Sequence, residues 1–205
     1  MANTYAYEFG NSLYLNLTNR CPNSCEFCLR NFKDTVNGNE LWLEEEPTFE
    51  DLKAGLAKFD LSKYDSVVFC GFGEPTCNLD MMSKIGPYIK SKGCKIRLNT
   101  NGLGNLINGR SDVAKELAAY VDFVSISLNA STAEGYDAIC HSQYGKEAFD
   151  AMLDFTKDCV REGIDTTMSV VDCIGEEEIA ACAKVVEGTG AKFRVRATID
   201  ENTEY

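Results

Sequence analysis

The sequence predicts an α/β fold with parallel strands, and two patterns along it carry that prediction. Short apolar runs of strand length alternate with longer stretches whose apolar residues recur at helical spacing. The helical stretches fall between the strands, so the strands lie side by side in one sheet joined by right-handed crossovers. Six strands and five helices can be traced, too few units to close an eight-stranded barrel.

Over residues 12–18, Leu13, Leu15 and Leu17 alternate with Ser12, Tyr14 and Asn16, which is the period of a strand. Pro47 and Thr48 open a helix that Thr48 caps; Glu50 and Asp51 place acids in its first turn, and Leu52, Leu56 and Phe59 share one face. The apolar run at 66–70 suits a buried parallel strand and leads into a turn at 71–76. Met82, Ile85 and Ile89 mark the next helix, and 95–101 is the third strand. Val113, Leu117 and Val121 form a helix face before the fourth strand at 122–128. Phe149, Met152, Leu153, Thr156, Cys159 and Val160 make one stripe of an amphipathic helix, which Gly163 ends. Strand five at 166–171, a helix carrying Ile179, Cys182 and Val186, and strand six at 193–197 complete the pattern. Residues 199–205 read as a tail, and without a linker, repeat or low-complexity tract 1–205 reads as a single domain.

The net charge is −12 and no basic patch is visible, which argues against nucleic-acid binding. The acidic run at 44–46 and that at 176–178 read as solvated helix approaches. Residues 1–10 lack the basic start and apolar core of a signal peptide, and no segment reaches the roughly 18 apolar residues of a membrane span. The ten cysteines therefore read as reduced thiols of a cytoplasmic protein rather than a secreted disulfide framework.

Cys21, Cys25 and Cys28 place three thiols within eight residues, directly after the first strand. A cubane iron-sulfur cluster takes one thiolate per iron, so such a loop leaves one iron open to a small ligand. The amine and carboxylate of a methionine group, as in S-adenosylmethionine, suit that position. Zinc would need a fourth nitrogen or sulfur ligand, and a disulfide would leave one thiol over. The only histidine, His141, lies far along the chain, where it reads as a loop residue of surface or structural role.

This loop resembles that of the radical S-adenosylmethionine superfamily, whose signature is the same cysteine spacing with an aromatic residue, here Phe27, before the third cysteine. Within it, residues 15–20, residues 39–43 and the trio Glu46, Pro47 and Thr48 resemble the small TatD-associated proteins. The resemblance spans most of the chain. It implies a partial (β/α)6 TIM-like barrel open along one side, and an oxygen-sensitive [4Fe-4S] cluster on Cys21, Cys25 and Cys28. It also implies S-adenosylmethionine as cofactor, a flavodoxin- or ferredoxin-type electron donor, and a functional link to a TatD-like hydrolase.

In parallel β/α folds the loops leaving the C-terminal strand ends line one mouth, and the candidate binding residues all fall at such ends. Gly71, Gly73 and Glu74 follow strand two: glycines permit close backbone approach, and the carboxylate can accept from an ammonium. They resemble the superfamily's Gly-Gly-Glu element, which holds the methionine amine, although Phe72 stands where a second glycine often does. A dinucleotide fingerprint would need glycine where Thr76 stands. Ser127 and Asn129 share a pleat face at the end of strand four and suit ribose hydroxyls or the methionine carboxylate. Thr100 and Asn101 end strand three and suit the carboxylate or a substrate; either pair also reads as a loop cap. Val171, Val195 and the Phe27 backbone stand where the family cradles adenine, though a strand valine is equally ordinary core.

Arg97, Arg194 and Arg196 interrupt strands that should be mostly apolar. Cations in a barrel mouth need partners, so one of them holds an anionic substrate or the cofactor carboxylate, or they point outward or pair with Glu74 or Asp172. The polar stretch at 29–46 is longer than most connections, and Arg30, Lys33 and Trp42 either meet a substrate there or form a lid with two solvated cations. Cys70 and Cys77 flank the glycine turn and can reach the mouth, whereas Cys159 and Cys182 sit on helical core faces. The expected function is an enzyme that cleaves S-adenosylmethionine reductively to a 5'-deoxyadenosyl radical for hydrogen abstraction. The alternatives are an activase acting on a glycyl-radical protein, or a non-catalytic iron-sulfur or zinc module.

Overall fold

The computed structural model describes residues 3–198, so the expected tail at 199–205 lies outside the described residues. In chain order the strands are β1 (Ala6–Phe9), β2 (Ser12–Leu15), β3 (Thr35–Val36), β4 (Asn39–Glu40), β5 (Ser66–Phe69), β6 (Ile96–Thr100), β7 (Phe123–Ser127), β8 (Asp165–Val171) and β9 (Lys192–Arg196). The helices are α1 (Phe49–Leu56), α2 (Leu79–Ser91), α3 (Gly104–Asn108), α4 (Val113–Leu117), α5 (Ala133–Cys140), α6 (Glu147–Arg161) and α7 (Glu176–Glu187). One seven-stranded sheet runs β1-β2-β5-β6-β7-β8-β9, and β3 and β4 form a separate hairpin. Every neighbouring pair from β2 to β9 in that sheet is parallel.

The six expected strands are thus present in sequential order. β1 is an addition: it pairs antiparallel with β2 through the tight turn at Gly10, whose left-handed φ of 56° favours glycine. The expected first strand stops at Leu15, three residues early, because Asn16, Thr18 and Asn19 leave the ladder to bind another loop. Two helices beyond the expected five, α3 and α5, appear; each is short, and α5 buries only Tyr136 and Cys140, too sparse a pattern to read in advance. Its presence corrects the place of His141, which is the left-handed C-cap of α5 at φ 44° rather than a free loop residue.

Strand side chains alternate between two faces. One set, including Leu13, Leu15, Val67, Phe69, Ile96, Leu98, Val124, Ile126, Met168 and Val170, is fully buried against the helices. α1 begins with a reciprocal capping box between Thr48 and Asp51, α6 packs Phe149, Met152, Phe155 and Cys159 inward, and Gly163 follows α6 at φ 81°. The other face carries Tyr14, Arg97, Asn99, Ser125, Ser127, Ser169, Arg194 and Arg196, an unusually polar set for a sheet interior. That concave face and the loops at the C-terminal strand ends hold the site. No helix among the described residues is long and apolar enough to cross a membrane.

Candidate active site

The cysteine loop leaves β2 and lies along the end of α5. Ser24 N donates to Cys140 O at 2.9 Å, Glu26 N to Ile139 O at 3.1 Å, and Gln143 N to Pro22 O at 2.9 Å. Asn23, only 3% exposed, donates from Nδ2 to the Tyr136 hydroxyl at 2.9 Å, and Arg30 Nη2 reaches back to Asn23 O at 2.8 Å. A loop without regular structure is therefore fixed from both sides, the condition for precise placement of its thiols.

Behind it, the two stretches at 15–20 and 39–46 bind each other. Asn16 Nδ2 donates to Leu41 O, Asn19 exchanges hydrogen bonds with both backbone groups of Leu43, and Glu46 accepts from Thr18 Oγ1 and the Arg20 guanidinium. Trp42, 39% exposed, rests edge-on against Phe72 with ring centroids 5.1 Å apart and donates to Asp34. The 29–46 stretch is thus a strapped segment over one flank of the sheet, with Arg30 tied to the cysteine loop.

Cys21, Cys25, Phe27 and Cys28 line one cavity of about 280 Å³ together with Gly71, Glu74, Thr100, Asn101, Ser127, Asn129 and Val171. Gly73 is not among the residues that line it, and packing against the chain gives both positions a reason of their own to be glycine. A Cβ at Gly71 would lie 2.0 Å from Asn16 Oδ1, and one at Gly73 would lie 2.2 Å from Thr18 O. The glycines let the turn after β5 press against the chain that feeds the cysteine loop, where Glu74 N donates to Arg20 O at 2.8 Å.

Glu74 is buried and ties two strand ends together: Oε1 accepts from Thr76 N, Thr76 Oγ1 and Thr100 Oγ1, and Oε2 accepts from Asn101 N at 2.7 Å. Burial pushes its carboxyl above the ordinary range, against these hydrogen bonds, which favour the ionised form. Oε2, with a single donor, keeps a lone pair for a ligand ammonium. Thr100 has committed its hydroxyl to Glu74 and also accepts from Gly102 N, while Asn101 Nδ2 lies 4.0 Å from Cys21 Sγ. Asn129 is not on the pleat with Ser127; it follows the strand in the left-handed region at φ 65°, which asparagine tolerates. Its Nδ2 reaches Cys140 Sγ at 3.4 Å, and its Oδ1 is buried without a hydrogen-bond partner.

Val195 is 43% exposed and lies outside the cysteine cavity, and Cys70 lines that cavity whereas Cys77 does not. Arg97, Arg194 and Arg196 pair with neither Glu74 nor Asp172; they donate to hydroxyls of Tyr14, Ser125 and Ser169. The residue that sequence reasoning missed is Cys140, whose thiol is hydrogen-bonded to that of Cys25. Only recognition of α5 would have revealed that approach.

Burial, reinforced by Glu74, pushes the Cys21 thiol up to about 12, and burial also raises Cys28. The hydrogen bond to Cys140 raises Cys25. Among the described residues no three Cys, His, Asp or Glu side chains are already drawn together as a metal triad. The donor chemistry fits an iron-sulfur cluster all the same: three thiols share one cavity, and a bound metal deprotonates a coordinating thiol outright.

Comparison with known proteins gives a consistent picture. A protein of Methanocaldococcus jannaschii without assigned function is 27% identical over 144 residues, covering 70% of this chain and 41% of that protein. A second protein of that organism, named for glycyl-radical enzyme activation, is 25% identical over 172 residues, covering 82% of this chain and 65% of its own length. The chain therefore spans only part of the curated relatives it matches. Among solved structures, Streptococcus suis SuiB bound to S-adenosylmethionine superposes with a TM-score of 0.69 at 18% identity, over 96% of this chain and 41% of SuiB. That likeness confirms the α/β partial-barrel fold. The model of the radical SAM superfamily, whose members are enzymes using a [4Fe-4S] cluster and S-adenosylmethionine, matches residues 15–186. Because that match takes in the cysteine loop, the glycine turn and the ends of β6 and β7, the chain belongs to the radical SAM superfamily.

Proposed function

We propose that the protein acts as a radical S-adenosylmethionine enzyme, in which Cys21, Cys25 and Cys28 hold the cluster. Phe27, Gly71, Gly73, Glu74, Thr100, Asn101, Ser127 and Asn129 form the cofactor's surroundings. The observation that carries this reading is the meeting of the three loop thiols with the ends of β5, β6 and β7 in one cavity. When bound, cluster and cofactor together supply a 5'-deoxyadenosyl radical, generated with an electron from a flavodoxin- or ferredoxin-type donor, that abstracts hydrogen from a substrate.

The chain's own residues supply binding and orientation. Glu74 offers its remaining lone pair to an ammonium while fixing Thr100 and Asn101; Asn129 Oδ1 offers an acceptor to a ribose hydroxyl, and Ser127 a hydroxyl to ribose or carboxylate groups. Gly71 and Gly73 set the distance between the thiol wall and the carboxylate wall. In the test, anaerobically reconstituted protein binds about four irons per chain and yields 5'-deoxyadenosine and methionine under dithionite, and Cys25→Ala does neither. A fully loaded wild-type protein that leaves S-adenosylmethionine intact would overturn the reading.

A second reading is favoured by the relative named for glycyl-radical enzyme activation, which matches over 82% of this chain. It predicts a glycyl-radical electron paramagnetic resonance signal on a partner protein after mixing. The TatD-associated grouping rests on the residues at 15–20 and 39–48, and a TatD-like hydrolase as functional partner would show as a co-purifying pair.

A further inference from the structure

Beside the cysteine cavity, a larger one of about 560 Å³ opens along the concave face of the sheet. Among the described residues that line it, four are arginines, Arg30, Arg97, Arg194 and Arg196, and none is Asp or Glu. This is a notable imbalance in a chain of net charge −12. Among the described residues the three strand arginines hydrogen-bond only to hydroxyls: Arg97 Nη2 donates to Tyr14 at 2.8 Å, Arg194 Nη2 to Ser125 at 3.3 Å, and Arg196 Nε to Ser169 at 3.1 Å, and Arg97 also lies over the Tyr14 ring, 5.9 Å from its centroid. Arg97 Nε is buried with no partner at all. Burial, and then the like charge of Arg194, pull the Arg196 guanidinium below its ordinary value. Arg30, Arg97 and Arg196 are half-buried and Arg194 is exposed; cations drawn even partly out of water without counter-charges are costly, so a cavity lined with them is suited to an anion. The facing wall is apolar and aromatic, formed by Tyr7, Phe9, Leu41 and Phe72.

We propose that this cavity is the substrate site and takes a small organic anion with two negative charges, a phosphate monoester or a dicarboxylate, whose apolar body lies against Tyr7, Phe9 and Phe72. The planar guanidinium fork matches both anions, and the volume suits a molecule rather than an ion alone. The inference rests on the radical S-adenosylmethionine reading for the substrate's place beside the cofactor. The two cavities share Cys28, Cys70, Gly71 and Asn99 along a common edge. Arg194 and Arg196 line both cavities, whereas Arg30 and Arg97 line only the larger one; Arg30 is tied to the cysteine loop through Asn23 O, so Arg97 is the arginine that best separates a substrate anion from the cofactor's own carboxylate.

The test is calorimetric titration of the anaerobically reconstituted holoprotein, with S-adenosylmethionine present, using phenyl phosphate, benzylmalonate, inorganic phosphate and neutral benzyl alcohol. Phenyl phosphate or benzylmalonate should bind, the better of the two identifying the anion class, and inorganic phosphate and benzyl alcohol should bind markedly less. Arg97→Met should weaken the bound anion roughly ten- to a hundredfold, the scale of lost charge-assisted hydrogen bonds, with Arg97→Lys in between. Iron content, thermal melting and S-adenosylmethionine affinity should stay at wild-type values in both variants. Three outcomes would overturn the proposal: neither organic anion binding better than benzyl alcohol, Arg97→Met leaving the anion's affinity unchanged, or both variants weakening S-adenosylmethionine to the same degree. Failure of the parent reading is a different result, namely wild-type protein that loads iron yet shows no response to S-adenosylmethionine.

Discussion

Gly73→Ala should loosen the cysteine loop from the sheet, and its cost can be worked from the geometry. The new Cβ would lie 2.2 Å from Thr18 O and 2.8 Å from Arg20 O, both backbone atoms that no rotamer change can move. Relief requires the turn after β5 to retreat, which stretches the 2.8 Å hydrogen bond from Glu74 N to Arg20 O. Overpacking of this kind costs about 1–3 kcal/mol and a lost hydrogen bond adds about 1, so the sum is roughly 2–4 kcal/mol. For a chain of this size that corresponds to a melting point lower by about 5–15 °C. Urea denaturation followed by circular dichroism measures the first quantity and a thermal melt the second. Gly188→Ala is the control, because its Cβ would meet nothing closer than Val185 O at 3.5 Å. If the two variants unfold within about 0.5 kcal/mol of each other, the account of Gly73 is wrong.

Two further outcomes follow from the same geometry. Partial burial raises the Glu46 carboxyl, but the hydrogen bonds from Arg20 and Thr18 outweigh it and hold the group below its usual 4.5. Its stabilising contribution is therefore complete above the unfolded value and is lost as pH falls through the depressed folded one. The stability gap between wild type and Glu46→Gln should accordingly narrow from about pH 6 to about pH 3, and urea midpoints across that range would show a constant gap if the pairing were inert. Cys140→Ala should leave iron at about four per chain and preserve the spectral response to S-adenosylmethionine. Loss of iron would instead make Cys140 a fourth ligand and favour a closed, non-catalytic centre.

How far the sequence was legible depended on the range of the forces involved. The six parallel strands and the helices carrying Leu52, Met82, Phe149 and Cys182 announce themselves because their apolar periodicity is local and strong. The short edge strand β1 and the helix α5 do not, since four residues and two buried side chains are too little pattern. The triple-cysteine loop was readable as a donor set, for its ligands are neighbours in the chain. Ser127 was legible as a strand end, but Asn129 lies beyond the strand in a left-handed turn that was hidden, because backbone handedness there answers to packing rather than to period.

By itself the amino-acid sequence determined the α/β alternation, the thiol spacing and the polar strand ends, all of which are set by intervals of a few residues along the chain. Tertiary structure decided everything that depends on distant segments meeting. It brought α5 under the cysteine loop, closed Glu74 onto Thr100 and Asn101, and packed the glycine turn against the chain that feeds the cysteine loop. It also brought Arg97 of β6 and Arg194 and Arg196 of β9 onto one wall that holds no carboxylate among the described residues. Charge compensation acts through space, so whether an arginine is paired can be read only once its neighbours across the sheet are known.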